Sequence, residues 1–559
     1  VTYTYNDSGD LLSRTDARGK VSSMAYDPLH RISTKNYSDS TPAVTYEYHL
    51  AGSSSSPDIG QLKSVSSSVA ATSVAATVYG YGQLGNVTAS SPTISGYSGN
   101  LTFNYDWYLN GGLKSIQYPS GRQVSYDVDD AGRSNKVYAT GKTYADMTAP
   151  GITYPFTPDG RIAQMKLGNN LWETHDYHTP GTTTVYKLGT APSAGNLLQL
   201  EYNFSGTNNN GNLSSQVASR PGGIWQQNFY YDNVNRLSTA NETGGWNRTY
   251  GYDQYGNRLV ATSNGLAHTD SKEPVAQSNF SASTNRLTTT GMQYDSSGNQ
   301  ITYGVFTLGY DAESRNTSAT STSSGSGSFA YDGEGRRVKK VWTPYGGTAV
   351  TTYFVYNALG QLAADYSSEA PSSLGTSYQF TDMLGSVRAI TSDSGSVVEC
   401  YDYLPFGRML SSLDNGRNIG CYPTDPDTQL TSRTPQKFTS KERDVETGLD
   451  FFLARYYSGA QGRFTSPDPI IHPNQSKDHF NTFLSQPDRW NKYIYAGNNP
   501  LKFIDLSGLE KYLAILLDQP APGKNVAYTA SGFHISTGHA SVGLIDTGTK
   551  ASDEKTFMI

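Results

Sequence analysis

One short alternation of apolar and polar positions returns along most of the chain. It reads aromatic, Tyr, Asp, two or three variable residues, Gly, then Arg or Asn and often an aliphatic. It is present at Tyr5-Asn6-Asp7 with Gly9 and Leu11, at Tyr26-Asp27 with Arg31-Ile32, and at Tyr126-Asp127 with Gly132-Arg133. It recurs at Tyr231-Asp232 with Arg236-Leu237, at Tyr252-Asp253 with Gly256-Asn257-Arg258-Leu259, and at Tyr294-Asp295, Tyr310-Asp311 and Tyr331-Asp332. The pairs Tyr5 and Tyr26, Tyr105 and Tyr126, Tyr231 and Tyr252, and Tyr310 and Tyr331 are each 21 residues apart. A unit of that size holds two strands of about six residues and two turns. One such unit cannot bury its own face, so the pattern predicts hairpins added stepwise to a growing sheet. Tyr ends a strand and is expected to stack on the Tyr of the next unit, at roughly 0.2–1 kcal/mol per pair. Asp caps the turn by accepting backbone N–H bonds, and Gly supplies a positive φ. The Ser/Thr/Gly-rich stretches Ser53–Ser56 and Ser318–Ser328 are expected as exposed loops between units.

Composition agrees with an all-β reading. Tyr (42) outnumbers Phe (19) and Trp (6), and 56 glycines supply turns. At 559 residues the chain exceeds one ordinary core, which a repeat array accommodates. A net charge of -6 gives no general attraction to nucleic acid, so no nucleic-acid partner is expected for the sheet. No apolar run approaches the roughly 18 residues of a membrane span, so no transmembrane segment is expected. The chain opens at Val1-Thr2-Tyr3 inside a repeat, so its natural N-terminus is expected to lie upstream and a missing signal says nothing about export. Spacing alone does not pair Cys400 with Cys421, and two unpaired thiols are the expected state. His175 and His178 would face opposite sides of a strand, so neither a metal site nor a cofactor is expected.

The repeated phrase resembles the YD repeat of the Rhs family, which includes bacterial Rhs proteins, shell components of insecticidal toxin complexes, and teneurins. The resemblance covers roughly residues 1–509. It implies an all-β fold, a YD-repeat β-hairpin array in a large spiral sheet or part of a hollow β-cocoon, capped by an Rhs-associated core. Residues 1–379 would be the array, 380–509 the core, and 510–559 the start of a variable C-terminal module. The core is read from Asp382-Met383-Leu384-Gly385-Ser386-Val387-Arg388, Tyr403-Leu404-Pro405-Phe406-Gly407, Ala454-Arg455-Tyr456-Tyr457 and Gly462-Arg463-Phe464.

In relatives this core acts as an intramolecular aspartyl protease built on two Asp-Pro-x-Gly elements, cutting after a Gly-Leu. Two close carboxylates cannot both ionise, so one serves as acid while the other activates water. Carried over by position, the pair is Asp468 and Asp505, and the cleaved bond is Leu509–Glu510. The sequence departs from that pattern at Ile471, where the family has Gly, and at Leu506, where it has Pro. A β-branched residue resists the positive φ that a turn glycine adopts. Arg455 and Arg463 are the arginines available to support the pair, or to make structural ion pairs.

After Leu509 the Tyr-Asp phrases stop. Strands are expected at Lys511–Asp518 and Gly538–Ile545, and a third near Phe557–Ile559. Asp518-Gln519-Pro520 and Gly538-His539 resemble a module at the ends of bacterial surface and Rhs proteins, with His539 as its candidate base or ligand. The resemblance implies the shell of an exported polymorphic toxin, secreted or at the cell surface. Its expected partners are its own C-terminal effector, an immunity protein and secretion-system components. The rival expectation is a surface or wall-associated protein binding glycan or a partner cell.

Overall fold

The computed structural model describes residues 1–52, 58–177, 183–204, 209–369, 375–425, 432–469 and 490–509, with the backbone of three short strands beyond them. The chain is nearly all β. Among the described residues, twenty-two strands from Thr2–Tyr5 to Arg258–Asn264 form one sheet. Each strand pairs antiparallel with the next in sequence, an unbroken meander. A second sheet of thirteen strands begins at Gln293–Tyr294 and runs to Val397–Cys400. Neither sheet closes into a barrel. No helix among the described residues is long and apolar enough to cross a membrane.

The repeat unit forms as expected in its turn and differently at its tyrosine. In the turn, Asp232 Oδ1 accepts from the amides of Val234 and Arg236, while Oδ2 accepts from the Arg236 guanidinium at 2.7 Å. Asp27 with Arg31, Asp129 with Arg133, Asp311 with Arg315 and Asp332 with Arg336 repeat this arrangement. Gly132 at φ 79° and Gly256 at φ 75° occupy the left-handed position of that turn, where Asn235 substitutes at φ 65°. Among the described residues, Tyr26, Tyr252 and Tyr331 do not stack on the tyrosine of a neighbouring unit. Their hydroxyls donate instead to a carbonyl of the preceding hairpin: Tyr26 to Leu11, Tyr252 to Leu237 and Tyr331 to Asn316. The arginine of the preceding turn lies over the ring, as Arg31 over Tyr48 at 3.9 Å and Arg236 over Tyr252 at 4.3 Å. The 21-residue offset aligns a tyrosine with the previous unit's turn rather than with its tyrosine, so the ring meets a cation.

Ser318–Ser328 is likewise not a loop. It forms the hairpin Asn316–Ser321 and Gly325–Tyr331. Its small residues leave room for Trp342, since a Cβ at Gly327 would lie 2.7 Å from that ring. Ser53–Ser56 lies outside the described residues.

Turns of the second sheet rest on the first sheet. The Ala312 amide donates to Thr41 Oγ1 at 2.8 Å, Tyr46 donates to the Gly333 carbonyl, and Tyr105 and Tyr202 accept from the Ala358 and Met383 amides. A continuous buried cluster therefore runs between the tiers, from Phe103 and Leu200 to Phe354 and Phe380. The segment after Val397–Cys400 packs against this stack. Its anchor is a buried charge cluster: Asp402 accepts from Arg388, Arg417 and Tyr422, and Arg417 also grips Glu242 of the first sheet. Cys400 and Cys421 are joined in a disulfide, contrary to the expectation of free thiols. The Arg417–Asp402 contact joins the two ends of that 21-residue stretch, a juxtaposition that spacing does not reveal.

Of the tail, Tyr512–Leu513 pairs with Phe503–Ile504, and the rest of the expected strand Lys511–Asp518 lies outside the described residues. Leu544–Asp546 and Lys555–Met558 form a hairpin seated between Leu362–Ser367 and Thr376–Thr381 of the second sheet.

Candidate functional site

A small sheet, Glu442–Asp444, Leu449–Phe451, Tyr456–Ser458 and Arg463–Phe464, carries Tyr456, Tyr457, Arg463 and Phe464 of the core motifs. Around it, the aromatic cluster of Phe438, Phe452, Tyr457, Phe464 and Tyr495 excludes water. Arg455 emerges from the loop before Tyr456–Ser458, with its guanidinium 3.7 Å from the centre of the Phe464 ring. That stacking fixes its plane.

The two aspartates meet on this arginine. Arg455 Nη2 lies 3.1 Å from Asp468 Oδ2 and 3.4 Å from Asp505 Oδ2. Asp468 is partly open, with 18% of its side chain exposed, whereas Asp505 retains 4%. The other oxygen of Asp505 collects the amides of Ser507 at 3.1 Å, Gly508 at 2.7 Å and Leu509 at 3.1 Å. Asp505 thus closes a tight turn that ends at the expected cleavage position. Gly508 takes φ 76°, and a Cβ there would lie 2.6 Å from the Phe452 carbonyl. Arg455 Nε donates to the Gly508 carbonyl and Nη1 to the Lys492 carbonyl at 3.0 Å. The Asp468 amide donates to that same Lys492 carbonyl at 2.9 Å.

Burial raises the Asp505 carboxyl above the usual carboxylate range; Arg455 works against this, and the neighbouring Asp468 adds to it. Two lysines flank the pair. Burial brings Lys441 down to about 8, with Asp505 opposing, and burial also lowers Lys492, with Asp468 opposing. One buried acid beside a more exposed carboxylate is an arrangement that can divide acid and base roles.

Of the two candidate arginines, Arg455 sits on the pair. Arg463 donates to the Asn285 carbonyl at 2.6 Å and lies over Tyr493 at 4.5 Å, tying the core to the segment between the two sheets. Glu510, Ile471 and His539 lie outside the described residues. His178 does too; His175 is buried with Glu173 at 2.8 Å and stacked on Tyr186. Sequence reasoning missed Lys441, Lys492 and Tyr495. Lys441 is 64 residues from Asp505, and no spacing rule links them.

Comparison with known proteins agrees with this architecture. Residues 5–42 match the model of the RHS Repeat. The chain is 28% identical over 296 residues to the tRNA3(Ser)-specific nuclease WapA of Bacillus spizizenii, covering 51% of this chain and 12% of that protein. It is 27% identical over 207 residues to salivary gland surface protein 1 of Aedes aegypti, covering 32% of this chain and 5% of that one. The chain therefore spans about an eighth or less of these relatives. Among solved structures, TcdB2-TccC3 superposes with a TM-score of 0.66 at 17% identity, covering 90% of this chain and 28% of that one. The Photorhabdus luminescens Tc holotoxin pore with the TccC3-D651A mutation gives a TM-score of 0.65 at 14% identity, covering 92% and 27%. The hairpin meander, its Asp–Arg turns and these matches lead to one conclusion: the chain carries an RHS repeat within residues 5–42 and is built like the Rhs/YD-repeat proteins it resembles.

Proposed function

We propose that this chain is the shell and core of an exported toxin-type Rhs protein, which holds its own C-terminal segment and frees it by self-cleavage after Leu509. The observation that carries this reading is the single Arg455 nitrogen shared by Asp468 and Asp505, beside a turn in which Asp505 binds the Leu509 amide. In this reading Asp468, held by Arg455, takes a proton from a water molecule as the water oxygen attacks the Leu509 carbonyl carbon. Asp505, protonated through burial, hydrogen-bonds that carbonyl oxygen as it gains charge. The Glu510 nitrogen takes that proton back from Asp468 as the C–N bond breaks, leaving a Leu509 carboxylic acid, which ionises, and a free Glu510 amine. The tail hairpin seated in the second sheet supports the holding role. Secretion or surface display, an immunity protein for the effector and secretion-system components belong to the same reading. Division of the chain at 379 and 509 into array, core and C-terminal module is part of it as well.

The test is the intact mass of the full chain under denaturing conditions, for wild type, D468N and D505N. Wild type is expected to split between Leu509 and Glu510, and both variants to stay whole. A wild-type chain that stays whole, or an Asn variant that splits as fast, overturns the reading. A whole chain favours the second reading, a surface protein binding glycan or a partner cell, which the match to a protein named for a surface supports.

A further inference from the structure

The Asp505–Leu509 turn is held from two sides by cations on different elements. Arg455 Nε takes the Gly508 carbonyl. Lys441 Nζ takes the Leu506 carbonyl at 2.7 Å. Lys441 follows the short turn Phe438–Ser440, its amide closing that turn on the Phe438 carbonyl, and immediately precedes the strand Glu442–Asp444. Its side chain runs along Phe452, with Nζ 5.5 Å from the ring centre. Its backbone is therefore fixed independently of the turn it grips.

Position 506 gives this contact a purpose. A proline there would lock its own φ through its ring, whereas Leu506 leaves that angle free. The peptide following Leu506 must then be held by an outside bond. A charge-assisted hydrogen bond from a buried ammonium is among the stronger bonds available.

We propose that Lys441 is a positioning residue for the self-cleavage, holding the Leu506 carbonyl so that the turn presents the Leu509 carbonyl to Asp468 and Asp505. The proposal rests on the self-cleavage reading above. Lys441 acts through the turn and does not touch the reacting atoms. Around it stand Asp505 on the turn, Arg455 and Asp468 beyond it, Lys492 beside Asp468, and Tyr495, whose hydroxyl is raised by burial and by Asp505. Because burial brings Lys441 to about 8, its grip loosens as pH rises through that value. Lys492 is also lowered, so an alkaline limb alone does not identify its owner. Arginine at 441 does, because a guanidinium keeps its charge to above about pH 12.

The experiment follows splitting of the full chain by intact mass after dilution from denaturant into buffers from about pH 5 to 10. Near-UV circular dichroism serves as the control for folding. Wild type is expected to slow as pH rises above about 8. K441M is expected to split about ten- to a hundredfold more slowly at pH 7, the loss of one charged hydrogen bond. K441R is expected to split and to keep its rate into the alkaline range. A K441M chain with the wild-type rate and pH profile overturns the proposal and leaves self-cleavage standing. A K441R chain that fails like K441M, or that keeps the wild-type alkaline limb, overturns it too. A wild-type chain that never splits overturns the self-cleavage reading and this proposal together.

Discussion

Replacing Asp402 with Asn tests what fastens the core to the repeat sheets. The carboxylate is 1% exposed and lies 2.5 Å from Arg388 Nη2, 2.9 Å from Arg417 Nε and 2.7 Å from the Tyr422 hydroxyl. Arg220 approaches at 3.7 Å. Burial alone would raise this carboxyl, but the guanidiniums of Arg388, Arg417 and Arg220 overcome it and hold it well below the usual carboxylate range. Asparagine keeps the shape and removes the charge, so that among the described residues the anionic partners left are Asp382 at 3.5 Å for Arg388 and Glu242 for Arg417. Breaking a buried pair in this way costs about 3–5 kcal/mol. At 1.4 kcal/mol per decade, local opening should become about two to three and a half orders of magnitude more frequent. Hydrogen exchange reads this directly in the strands Leu237–Glu242 and Val397–Cys400, which flank the cluster. A depressed carboxyl contributes its stability above the unfolded value of about 3.9 and loses it as pH falls toward the folded value. The difference between D402N and wild type should therefore persist from pH 5 to 8 and narrow below about pH 4. Exchange changed by less than about fivefold at pH 7, a difference near 1 kcal/mol, would refute the claim that this cluster clamps core to shell.

Serine at both Cys400 and Cys421 removes a cross-link spanning 21 residues and should cost about 3 kcal/mol by the chain-entropy relation, read as a lower denaturant midpoint. D505N should melt at the same or a higher temperature than wild type at pH 7, because burial makes the ionised carboxylate costly; the advantage should vanish below about pH 4, where Asp505 is protonated whether folded or not. G508A should block splitting, since its Cβ would press on the Phe452 carbonyl. G111A, at φ 84° with open space around it, should cost only the left-handed backbone penalty of about 1–2 kcal/mol in thermal stability and leave splitting unchanged.

Most of the repeat architecture is written locally. A Tyr-Asp phrase with Gly and Arg at set offsets encodes a strand, a turn and the next strand within one short window. Repetition then implies a meander, because a hairpin alone leaves a face uncovered. The Asp-capped turns and the positive-φ glycines were legible for that reason; the arginine that closes the turn on its Asp was not. Nor was the partner of each tyrosine. Whether Tyr252 meets another ring or Arg236 depends on how the bulged register sets one hairpin against the next. Ser318–Ser328 misled for a similar reason: its composition suits a loop, whereas it pairs as a hairpin that the next strand covers with Trp342 against Gly327.

At the candidate site, residue type and motif order were enough to nominate Asp468 and Asp505. They did not reveal which arginine joins them, or that Lys441 grips the Leu506 carbonyl. Those contacts link residues 13 to 65 positions apart through a folded sheet and an aromatic cluster. The Cys400–Cys421 disulfide and the Asp402–Arg417–Glu242 clamp are of the same kind. Local preferences determined the strands and turns of this protein; the tertiary structure decided its charges and cross-links, because a buried ion is defined by what surrounds it rather than by what precedes it in sequence.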